Sequence, residues 1–123
     1  MTVQPIDYKT FQRATLDYGR VDNHSGSTFF GAMLDNGAVC GAVKLRKTGQ
    51  SSVSVEALYV QPAMRKQGVG LALLQAVMQH VHDEGWVKKV RASALYSSLN
   101  LFLRIGFTKR IQRKHGWWVE RRL

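Results

Sequence analysis

The sequence predicts a mixed α/β domain built on one sheet, and three features of its 123 residues predict it. Apolar, β-branched runs recur between about residues 28 and 60, separated by turn-forming residues. From Gly70 the apolar spacing changes to three and four, the mark of an amphipathic helix. Strand and helix patterns then alternate to the C-terminus. With 45% apolar and 21% charged residues, this length suits one ordered domain over residues 1–123.

Each element has a local reason. Ile6, Phe11, Ala14, Leu16 and Tyr18 give a weak helical pattern from Ile6 to about Tyr18, followed by the polar loop "GRVDNHSGS". "TFFGAML" and "AVCGAVKLR" are strand-like, and the Asn36-Gly37 pair between them suits a tight hairpin turn. "KTGQSS" turns the chain into "VSVEALYV", a third strand of the meander, stopped by Pro62. Leu71, Leu74, Met78 and Val81 then mark one face of a helix, widened by Leu73 and Val77 and ended by Gly85. A short strand "VKKVRASA" and a second helix "SSLNLFLRI" follow. "TKRIQRKHGWWVERRL" reads as two strands about a His115-Gly116 turn, with Trp117 and Trp118 on opposite faces.

Composition narrows the function classes. The N-terminus has no apolar signal-like core and no window approaches the roughly 18 apolar residues of a membrane span, so a cytoplasmic protein without a membrane partner is expected. The single cysteine, Cys40, excludes an internal disulfide and reads as a small buried hydrophobe. The four histidines lack metal-ligand spacing, so they read as surface residues and no metal is expected. A formal charge of +10, concentrated toward the C-terminus, attracts polyanions: nucleic acid, anionic lipid or a phosphorylated cofactor. A solvated basic face accounts for the same charge equally well.

The stretch "VQPAMRKQGVGLALL" carries the chemistry. A strand that ends, and a helix that begins, at a glycine-bearing loop leaves several backbone N–H groups unpaired at the positive end of the helix dipole. Glycine lets an anion approach that backbone, and Arg65 and Lys66 add charge to the rim. The pattern therefore suggests a phosphate or pyrophosphate cradle. It contains neither G-x-x-x-x-G-K-[ST] nor the dinucleotide fingerprint, because Leu73 stands where that fingerprint needs a small residue.

"LYVQPAMRKQGVGLALLQ" resembles the acetyl-CoA-binding motif of the GNAT superfamily, the Gcn5-related N-acetyltransferases, whose [QR]-x-x-G-x-[GA] is filled by Arg65, Gly68 and Gly70. "LNLFLRIGF" resembles that family's second conserved block and "WWVERRL" its closing strand, so the likeness covers roughly residues 27 to 123. The resemblance implies a single GNAT-like domain. Its sheet would be mixed and mostly antiparallel, with splayed central strands flanked by helices, and its N-terminal region shortened. It implies acetyl-CoA as co-substrate, without a metal, and transfer of the acetyl group to a primary amine by direct attack. Carried over by position, Lys66, Gln67, Gly68, Val69, Gly70 and Leu71 would hold the pyrophosphate beside Arg65. Leu58, Tyr59 and Val60 would bond the pantetheine, and Asn100 and Phe102 would contact the cofactor from the second helix.

Two departures from the family pattern shape the remaining expectations. Phe102 occupies the position where many members carry a tyrosine that protonates the departing thiolate. Tyr96 is the nearest phenolic substitute by sequence, and a thiol pKa near 8.5 also allows thiolate to leave unaided. Only about 26 residues precede the first clear strand, where the family commonly has another strand and two helices. A shortened wall leaves the acceptor cleft open to a macromolecular amine, or to a neighbour in a dimer; monomer and homodimer both stay open. For the general base, Glu56 is the only carboxylate on "VSVEALYV", and alternation places it on the face of Leu58 and Val60. Two other classes remain: a basic protein that binds or modifies nucleic acid on the same scaffold, and a non-catalytic acyl-CoA-binding member.

Overall fold

The computed structural model describes residues 1–123. Seven strands form one sheet: β1 (Thr2–Ile6), β2 (Ser27–Met33), β3 (Val39–Lys47), β4 (Ser52–Val60), β5 (Lys89–Leu95), β6 (Thr108–Arg113) and β7 (Gly116–Arg122). Their spatial order is β1-β2-β3-β4-β5-β7-β6. Every neighbouring pair is antiparallel except β4 and β5. A parallel pair needs a crossover, supplied here by the helix α2 (Val69–Glu84).

α2 and α3 (Tyr96–Arg104) lie on one face over the main core, in which Leu73, Leu74, Val77 and Val81 of α2 meet Val43, Val55, Val90 and Ala92 of the sheet. Burial of such aliphatic side chains contributes about 1.5–3 kcal/mol each. The opposite face holds a smaller cluster of Phe11, Phe29 and Ala42 under α1 (Tyr8–Ala14). α2 ends at Gly85 with φ +77°, the left-handed conformation that makes a glycine stop. Gly41 lets α2 sit close to β3, since a Cβ there would come within 2.9 Å of Val69 Cγ1 and 3.0 Å of the Tyr59 carbonyl. Cys40 is fully buried beside it. No helix is long and apolar enough to cross a membrane.

The N-terminal expectation needs correction. Thr2–Ile6 is a strand paired with β2, and the helix begins only at Tyr8. Pro5 conceals that strand in the sequence, yet an edge strand tolerates a residue without an N–H. Asp7 caps α1 by accepting from the Thr10 N–H at 2.8 Å, and that bond holds its carboxyl below the usual value. The region is thus short of a helix but not of a strand. A second correction concerns the closing hairpin. Its turn falls at Lys114 and His115, while Gly116 already opens β7, where a Cβ would collide with the Ala94 carbonyl.

Candidate active site

The site begins where β4 and β5 stop pairing. Their parallel ladder runs from Ser52 opposite Lys89 to Val55 opposite Ala92 and goes no further. Beyond it, β4 stays bonded to β3 and β5 to β7, so the two facing edges part. Gln61 donates its N–H toward β3, to the Cys40 carbonyl, at 2.9 Å. By alternation Val60 and Leu58 aim their backbone groups into the gap, and the Arg65 Nε bond to the Val60 carbonyl at 2.9 Å agrees with that direction. An open strand edge of this kind is a template for an extended ligand.

β4 is not a regular strand at this point. Its register against β3 shifts between Val43 and Leu45, and Ala57 takes φ +67°. This bulge puts Glu56 and Ala57 on the α1 face together, with Leu58 and Val60 packed toward the α2 face. Glu56 therefore lies on the face opposite Leu58 and Val60, contrary to the alternation expected from sequence. It sits one residue past the last β4–β5 pair, with Oε1 3.2 Å from Lys44 Nζ and Oε2 2.8 Å from the Arg46 guanidinium.

Beside Glu56 lies Lys44, which the sequence did not single out. It is 1% exposed, and its ammonium also donates to the Asp22 carbonyl at 2.6 Å and meets His24 Nδ1 at 2.7 Å. A buried ammonium needs such acceptors for its three protons, and Lys44 thereby ties the loop after α1 to the β4 bulge. The only sequence signal was a lysine inside the apolar run "AVCGAVKLR".

The loop after β4 leaves backbone N–H groups free, as expected of a glycine-bearing strand-to-helix turn. A short 3-10 turn, Pro62–Met64, leads through Lys66 at φ +63° and Gly68 at φ +84° into α2. The six successive N–H groups of Lys66, Gln67, Gly68, Val69, Gly70 and Leu71 have no acceptor within the chain. The two glycines serve different ends. Nothing lies within 4 Å of a Cβ at Gly68, so the space above that backbone is open. A Cβ at Gly70 would come within 3.0 Å of Leu101, so this glycine sets the approach of α3 to α2 rather than that of a ligand. Lys66 is exposed, whereas Arg65 spends its Nε on β4.

The remaining candidates are dispersed. Tyr59 is buried on the α1 face, edge-on to Tyr18 at 6.2 Å, and the Asp17 carboxylate beside its hydroxyl raises its pKa. Burial raises that of Tyr18. Tyr96 opens α3 at the end of β5, 55% exposed, but its hydroxyl accepts from Gln112 Nε2 of β6 at 3.4 Å, on the side away from the gap. Phe102 is buried edge-to-face against Phe107 at 5.2 Å, while Asn100 is exposed on α3.

A strand-to-helix cradle of free N–H groups, set beside two parting parallel strands, defines a class of α/β proteins with one split sheet. The chain belongs to the acetyltransferase (GNAT) family, whose sequence profile matches residues 3–107. That match takes in β1 and α1 and stops before β6. Solved structures share the fold at low identity. A GNAT-family acetyltransferase from Staphylococcus aureus Mu50 superposes with a TM-score of 0.74 at 12% identity, over 99% of this chain and 98% of that one. One from Elizabethkingia anophelis, solved with acetyl-CoA bound, gives 0.74 at 17% identity, over 99% and 97%. The PaiA N-acetyltransferase of Thermoplasma acidophilum, in complex with coenzyme A, gives 0.71 at 14%, over 94% and 68%.

Proposed function

We propose that this chain is an acetyl-CoA-dependent N-acetyltransferase acting on a primary amine. One observation carries the reading: six consecutive unpartnered N–H groups, Lys66 to Leu71, lie at the start of α2 next to an unpaired strand edge. That arrangement complements a ligand with a pyrophosphate at one end and an amide-bearing chain at the other. The acetyl-CoA and coenzyme A complexes of the Elizabethkingia and Thermoplasma proteins support the same choice.

In the proposed reaction the pyrophosphate rests on the Lys66–Leu71 N–H groups. The pantetheine adds along Leu58–Val60 as an extra strand, and a β4 N–H polarises the thioester carbonyl. A neutral amine attacks the carbonyl carbon, the tetrahedral intermediate collapses, the C–S bond breaks and coenzyme A leaves as thiolate. The amine's proton passes through water to Glu56, and the thiolate takes a proton from Tyr96 or from solvent. Phe102 has no proton to give, and contrary to the contact expected from sequence its ring is buried in the core against Phe107 rather than open to the cofactor. Asn100 is the exposed polar group of α3 available to the cofactor. With a helix missing from the N-terminal wall, the acceptor side is open enough for an amine on a macromolecule.

Calorimetric titration with acetyl-CoA, comparing the wild type with Gly68→Glu, tests this reading. A side chain at Gly68 projects into open space above the cradle, so the variant keeps the packing while its carboxylate repels the pyrophosphate. Strain at φ +84° makes circular dichroism a necessary control. Wild-type binding that weakens at least about 100-fold in a folded variant supports the reading. No binding by folded wild type overturns it, and tight binding without thiol release on any amine leaves only an acyl-CoA-binding protein.

A further inference from the structure

The β5–β7–β6 end of the sheet has one face that no helix covers. α2 and α3 pack on the other face, and the main sheet contacts of α1 are with β2 and β3. Alternation in β5 sends Lys89 and Arg91 to the bare face, and β7 sends Trp118. The register shift in β6 between Lys109 and Ile111 turns both Arg110 and Ile111 that way. These five residues line a shallow groove of about 340 Å³, and Arg113 borders it from the hairpin end.

Charge and planarity coincide there. The guanidinium carbons of Arg91 and Arg113 lie 5.1 and 5.5 Å from the centre of the Trp118 ring. None of Lys89, Arg91, Arg110 and Arg113 has a carboxylate within ion-pair distance, and the one acid at the groove, Glu120, is paired with Arg122 at 3.1 Å. Ile111 is 58% exposed on an edge strand. Four unpaired cations around an indole are complementary to a chain that alternates phosphates with planar rings. Phosphates take the free N–H groups, while bases stack on the indole and guanidinium planes.

We propose that this face binds a single-stranded polynucleotide. A second copy of the chain would oppose the same positive surface to itself. An acidic peptide would satisfy the cations but give Trp118 and Ile111 nothing planar to stack on. A duplex hides its bases from a flat sheet face, which has no element projecting into a groove.

Fluorescence anisotropy of labelled 20-nucleotide RNA and DNA single strands, with the full chain at 50 and 150 mM salt, tests the proposal. Binding is expected to weaken with salt along a log–log slope of about −3 if four phosphates are neutralised. Arg91→Glu with Arg113→Glu should weaken it at least about 30-fold, and Trp118→Ala about 10-fold. Arg110→Glu, on the exposed edge strand, gives a second charge reversal should the double variant fold poorly. Gly68→Glu should leave it unchanged, which separates this face from the cradle. The proposal is overturned by any of four results: no binding at 50 mM salt; binding insensitive to these reversals; a duplex bound as tightly; or self-association, or capture by phosphatidylserine vesicles, in place of polynucleotide binding.

Discussion

The two strands that part beyond Val55 and Ala92 differ in every respect except their shared starting point. β5 continues as a regular strand, alternating buried Val90, Ala92 and Ala94 with outward side chains, and runs directly into α3. β4 bulges at Ala57, gathers Lys44, Arg46 and Glu56 around the bulge, and ends in a loop of positive-φ residues. One lip is a rigid wall that packing determines. The other departs from ideal geometry, and it carries the free backbone groups and the charged cluster. Irregular backbone is where a fold can aim polar groups at a ligand, because regular pairing would have consumed them.

The largest expected effect comes from breaking the regular lip. Gly116→Ala drives a methyl into the Ala94 carbonyl and should cost about 3 kcal/mol or more in urea denaturation, because backbone cannot yield as a side chain does. A stable variant would mean that β5 and β7 slide apart without loss, and the rigid-wall description would fail. On the irregular lip, Glu56→Gln keeps the shape of the side chain but not its charge. If Glu56 relays the amine's proton, turnover should fall about 100-fold at neutral pH with acetyl-CoA affinity intact. If turnover and its pH profile stay unchanged while stability drops, Glu56 serves only to hold the bulge with Lys44 and Arg46. Smallest is Tyr96→Phe, expected to slow thiol release about 10-fold. An unchanged rate of thiol release would show that the thiolate leaves without a proton from this residue.

How much was legible in the sequence follows the same division. The β2–β4 meander, α2 with its Gly85 stop, β5 and α3 were all readable, because apolar spacing and turn chemistry are local signals. The loop between β4 and α2 was readable too, since R-x-x-G-x-G between a strand and a helix is short and contiguous. β1 was not, because Pro5 argues against a strand unless its edge position is known. Glu56 was placed on the wrong face, because a bulge shifts alternation without a distinct residue pattern to announce it. Lys44 was missed because its partners, Asp22, His24 and Glu56, lie 22, 20 and 12 residues away in the chain.

By itself, the sequence determined the class of fold, the glycine loop between β4 and α2, and the family, all of which rest on periodicity and on short motifs. Tertiary structure alone decided where β4 and β5 separate, which of the two glycines faces open space, and which cations surround Glu56 and Trp118. Those outcomes depend on pairing and packing between segments far apart in the chain, and no local pattern encodes the register in which such segments meet.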